Sequence, residues 1–174
     1  IRGPNAGHSM RLEPLFFQIK GIAMLETEVK PKPVLNMKLI VPFINSVRTV
    51  FSTMLGTTAT VQRPSVKAVP VPLYDVSAII GFSGEILGSV VVSFPRETAI
   101  KCVAAFAGAE MDPTSPDFAD AIGELTNMIA GGAKKDLGAN ASITCPSVII
   151  GSGHVIARLR DVPCLAIPCE TPLG

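Results

Sequence analysis

Val76-Ser77-Ala78-Ile79-Ile80-Gly81-Phe82, Ser83-Gly84-Glu85 and Ile86-Leu87-Gly88-Ser89-Val90-Val91-Val92-Ser93-Phe94 decide the fold class. Two apolar, β-branched runs joined by a short loop containing glycine predict an antiparallel hairpin. Pro95-Arg96-Glu97 opens a helix directly behind it, because proline suits a first turn, and Gly108 stops that helix. Asp112 to Pro116 reads as a loop, and Asp117 to Leu137 as a longer helix stopped by Gly138. Ala141 to Ile150 and Val155 to Leu159 read as a second hairpin around Gly151-Ser152-Gly153, with Val162 to Pro168 as a last short strand. Upstream, Ile40, Phe43, Ile44, Val47, Val50 and Phe51 recur at intervals of three and four, which predicts an amphipathic helix from near Pro42 to Gly56. Thr57 to Gln62 then reads as a strand, and Pro64 to Pro72 as a proline-punctuated stretch. Helices alternating with antiparallel hairpins predict an α/β two-layer sandwich, long helices packed on β-hairpins, rather than a doubly wound parallel sheet.

Composition narrows the function. A chain of 174 residues with 48% hydrophobic and 17% charged residues is a folded domain, not a solvating or disordered segment. Fifteen basic and fourteen acidic residues leave a net charge of +1, which argues against a nucleic-acid groove or an anionic membrane surface. No apolar run approaches the roughly 18 residues of a membrane span, so the mean hydropathy of +0.45 reflects a buried core. The absence of Trp and the single Tyr74 argue against an aromatic stacking platform. Cys102, Cys145, Cys164 and Cys169 fit no metal-ligand spacing and read as buried small hydrophobes in a reducing cytoplasm. His154, in the glycine turn, is the one candidate base in the body of the chain, since His8 lies in the leader. Residues 1–36 read as leader, tag or linker. Gly7-His8-Ser9-Met10 resembles a cloning scar, Leu15-Phe16-Phe17-Gln18 has no sustained period, and Lys30-Pro31-Lys32-Pro33 is extended. The domain is therefore expected to run from residue 37 to 174.

The helix from Asp117 carries the chemistry. Phe118, Ile122, Leu125 and Ile129 gather on one side and predict a core face. Asp120, Glu124 and Asn127 stand at i, i+4 and i+7 on the opposite side, within about 60° of one another. Asparagine is a poor residue for a helix interior, and each interior glycine costs about 1 kcal/mol relative to alanine. Gly123 and Gly131 accept that cost, and Gly131 projects onto the polar stripe. Such a helix leaves a bare surface beside an acid and an amide, which predicts a docking face for another protein.

Asp120-x-x-x-Glu124-x-x-Asn127 resembles the D/S-x-x-x-E-x-x-N motif of the CheC/CheX/FliY phosphatases of bacterial chemotaxis. The surrounding Ala121 to Lys134 is similar to the CheX branch, as are Pro42 to Val47, Met54-Leu55-Gly56 and the hairpin from Gly81 to Val90. The likeness spans about Met37 to Gly174 and includes one copy of the motif. It implies a CheC-like fold and hydrolysis of the aspartyl phosphate of a CheY-type receiver. By the same resemblance Asn127 positions the attacking water, and Glu124 meets the receiver's active-site lysine. Asp120, Gly123 and Gly131 then belong to the docking surface. No cofactor is expected on this chain, since Mg²⁺ would sit on the receiver. A cytoplasmic homodimer is expected, joined by sheet extension, with a further strand after the turn Thr171-Pro172-Leu173-Gly174 where this sequence stops. A non-catalytic receiver-binding module is the alternative.

Overall fold

The computed structural model describes residues 15–23 (as backbone), 37–67, 73–138, 140–156 and 164–174. Three helices, α1 (Met37–Met54), α2 (Arg96–Ala107) and α3 (Pro116–Leu137), lie on one face of an antiparallel sheet. Its strands are β1 (Leu15–Ala23), β2 (Thr60–Val61), β3 (Ser65–Lys67), β4 (Val76–Gly84), β5 (Leu87–Phe94), β6 (Ala141–Ile143), β7 (Ser147–Ile150) and β8 (Cys164–Glu170). The order across the sheet is β2-β8-β1-β5-β4-β6, with β3 also on β8 and β7 also on β4. The α/β two-layer expectation holds.

The β4–β5 hairpin forms as its sequence predicts, with Val76 opposite Phe94 and Ile80 opposite Val90. Alternation sends Ala78, Ile80, Phe82, Val90, Val92 and Phe94 into the helix layer. Gly84 closes the strand at φ +104°, where a Cβ would also lie 2.6 Å from the Asn140 carbonyl oxygen. Only glycine meets both conditions.

Four expectations need correction. The domain does not begin at Met37, because β1 pairs on both edges, Phe17 opposite Val92 of β5 and opposite Ile167 of β8. An apolar run without helical period suits a strand in the middle of a sheet, so Leu15 to Ala23 belongs to the domain rather than to a leader. β8 in turn lies between β1 and the short strands β2 and β3, and Thr171 and Gly174 exchange two backbone hydrogen bonds in the expected turn. Helix α1 starts five residues before Pro42, which is buried inside it; as the sixth residue of the helix, the proline forgoes one bond of the ladder just after the first turn. The first arm of the second hairpin, Ala141 to Ile150, is broken in two. Strands β6 and β7 each pair with β4, no strand covers Val155 and Ile156, and residues 157–159 lie outside the described residues. The proline-punctuated stretch, finally, contains β3, which extends the edge begun by β2.

Helices α1 and α3 meet at a small-residue contact. Ser46 Oγ is buried and donates to the Ile129 carbonyl at 2.7 Å, and a Cβ on Gly132 would collide with that same hydroxyl. Gly132→Ala is therefore expected to destabilise the domain by about 2 kcal/mol, since the hydroxyl must leave its carbonyl. In urea titrations the Ser46→Ala/Gly132→Ala pair should cost less than the sum of its parts; an additive cycle would show that the two groups do not compete for one space.

Candidate functional site

Local chemistry starts and stops α3 cleanly. Ser115 Oγ accepts the Phe118 N–H at 3.2 Å, Pro116 occupies the first turn, and Gly138 ends the helix at φ 64°. Asp117 lies in the first turn and Lys134 and Lys135 in the last, each on the side that the helix dipole favours. Rotation about the helix axis is set by Phe118, Ile122, Leu125 and Ile129, which are all buried. That leaves Asp120 and Glu124 exposed and Asn127 half-buried along one ridge. Asn127 Nδ2 donates to Glu124 Oε2 at 3.4 Å. This is longer than an ordinary hydrogen bond, so the amide is oriented but easily released to a partner. Among the described residues it is the only hydrogen bond of that side chain.

A second element completes the surface. Thr144, between β6 and β7, donates its N–H to the Gly81 carbonyl and accepts the Gly81 N–H on Oγ1, both at 3.0 Å. This anchors Pro146 and Val148 against α3. A Cβ on Gly123 would stand 3.2 Å from Pro146 Cγ and 3.6 Å from Val148 Cγ2. The bare face of Gly123 is thus met by the chain's own loop, not left open for a partner backbone, and the sequence gives no local sign of that tertiary approach. Gly131 behaves as expected, with nothing within 4 Å of a Cβ built on it. Between helix and loop runs a cleft of about 560 Å³, lined by Ala119, Asp120, Gly123, Glu124, Pro146 and Val148.

The other candidates lie elsewhere. His154 Nδ1 bonds the Gly151 carbonyl at 2.9 Å and Nε2 the Ser77 hydroxyl at 2.8 Å, next to buried Ser93, so the imidazole pins a loop to the sheet face opposite the helices. Three cysteines are buried as expected, whereas Cys145 is exposed because its loop crosses the surface. Burial pushes the Cys102 and Cys169 thiols up to about 12, leaving them protonated and unreactive. Among the described residues no helix is long and apolar enough to cross a membrane, and no group of three or more His, Cys, Asp or Glu could hold a metal ion.

A sequence profile for the chemotaxis phosphatase CheX matches residues 76–170, which include the whole of α3 and both walls of the cleft. The chain belongs to the CheX family. It is 34% identical over 122 residues to the CheY-P phosphatase CheX of Thermotoga maritima, a span covering 67% of this chain and 78% of that protein. The crystal structure of CheX from Desulfovibrio desulfuricans superposes with a TM-score of 0.72 at 37% identity, covering 79% of this chain and 93% of that one. A chemotaxis protein of Desulfovibrio vulgaris Hildenborough gives 0.71 at 36%, covering 81% and 94%. The family's fold is therefore the antiparallel sheet with one helical layer described above.

Proposed function

We propose that this chain is a protein phosphatase that hydrolyses the aspartyl phosphate of a CheY-type response regulator in the cytoplasm. The observation that carries the reading is the pairing of Glu124 and Asn127 side by side on the exposed ridge of α3 in a CheX-family domain. The Asn127 amide can accept a hydrogen bond from water through its oxygen and donate to a phosphoryl oxygen through its nitrogen. Holding the water in line converts a bimolecular attack into a near-unimolecular one. The water oxygen bonds to phosphorus as the bond to the receiver's aspartate breaks, and the carboxylate departs with the electron pair. One water proton stays on the inorganic phosphate and the other passes to solvent. No base from this chain is required. Mg²⁺ held by the receiver would offset negative charge on the phosphoryl oxygens. Glu124 anchors the partner through a lysine, with Asp120 and Gly131 on the docking surface. Purified chain mixed with a phosphorylated CheY-type receiver should speed phosphate release. Release at the receiver's own rate, despite binding, would leave a receiver-binding module.

Glu124→Ala should weaken receiver binding as well as turnover, since it removes the carboxylate that meets the partner's cation. Raising salt should weaken the wild-type complex more than the Glu124→Ala complex. Equal salt slopes in a binding titration would count against the ion pair. The active form is a homodimer joined at sheet edges, where β2–β3 and β6–β7, the outer strands among the described residues, would meet a second copy. Light scattering should give twice the 18.2 kDa chain mass; a monomer mass at micromolar concentration overturns it.

A further inference from the structure

We infer that Pro146 and Val148, together with Ala119, form a specificity wall that receives the apolar stem of a long cationic side chain of the receiver. This rests on the phosphatase reading of the same ridge. Three observations carry it. The cleft between α3 and the β6–β7 loop is continuous with the motif, because Asp120 and Glu124 line it together with the wall. Its six lining residues comprise two carboxylates, an otherwise apolar set and no cation, which matches a side chain with a methylene stem and a charged tip. The wall is also built in advance. The paired Thr144–Gly81 hydrogen bonds hold the loop to β4, and the missing side chain at Gly123 lets Pro146 and Val148 lean on α3 one residue before Glu124. A preformed wall loses little conformational freedom on binding and so adds affinity and discrimination rather than chemistry.

The division of labour follows from these positions. Asn127 faces the reacting water and belongs to turnover. Glu124 supplies the charge that draws the partner in. Ala119, Pro146 and Val148 then test whether the arriving cation has an apolar stem of the right length, and a short or bulky side chain would leave the carboxylates without a well-placed partner.

Steady-state phosphate release over a range of phosphorylated receiver concentrations tests the inference, with a melting curve for every variant. Ala119→Lys places the chain's own cation beside Asp120 and Glu124 and is expected to raise KM for the receiver about tenfold, with a smaller change in kcat. Asp120→Asn, equal in volume but neutral, should raise KM about threefold and make it less sensitive to salt. Val148→Ala should raise KM about fivefold by thinning the wall; should it melt too early to assay, Ala119→Lys alone decides. Asn127→Ala in the same assay separates the two levels. If it loses turnover while Ala119→Lys and Val148→Ala keep the wild-type KM, the wall does not touch the partner and the inference is overturned with the phosphatase reading intact. If Asp120→Asn leaves both KM and its salt dependence at the wild-type values, the assignment of a cationic occupant is overturned. If Asn127→Ala turns over normally, the phosphatase mechanism fails first.

Discussion

Asn127→Ala is expected to lower phosphate release from a phosphorylated CheY-type receiver by about 100-fold or more, the usual effect of removing one donor that acts on a transition state. The loss should fall on kcat, because water is positioned for attack only when the phosphorylated receiver is already bound. Stability should move the other way. The side chain is half-buried and makes one long hydrogen bond to Glu124, so little packing is lost. Alanine is the better helix former, and the variant should gain about 0.5 kcal/mol in a urea titration. A residue whose removal stabilises the fold and abolishes turnover is there for function. Wild-type turnover in Asn127→Ala would sink the assigned mechanism.

Phe43→Ala is expected to cost about 4 kcal/mol of folding free energy. Phe43 is fully buried in α1 and meets Phe82 of β4 edge-on, with ring centroids 5.8 Å apart and planes at 70°. The pair ties the helix layer to the sheet, and its loss removes both the transfer term and a favourable ring geometry while leaving a cavity. Domains of this size hold roughly 5 to 15 kcal/mol in all, so the midpoint should fall by about 10 °C. Phe43→Leu, which refills most of the space, should recover more than half of the loss in calorimetry. A cost below about 1 kcal/mol for Phe43→Ala would mean that the surrounding side chains collapse into the gap.

Much of this was legible along the chain because its cause is local. Periodicity placed α3 and its buried stripe, the alternation of β4 and β5 placed the hairpin, and Gly108 and Gly138 marked helix ends by their freedom at positive φ. The ridge of Asp120, Glu124 and Asn127 followed from helix geometry alone. Three features depended on the tertiary structure. A short apolar run such as Leu15 to Ala23 carries no sign of which edges it will pair with, so only the completed sheet made β1 a central strand between β5 and β8. Glycines look alike in sequence, yet Gly123 receives Pro146, Gly132 receives Ser46 and Gly131 stays open, because neighbours distant in the chain decide what stands over each. The cleft wall of Pro146 and Val148 has no motif. It exists because hydrogen bonds between Thr144 and Gly81 bring a loop to the side of a helix that the sequence could only place by itself.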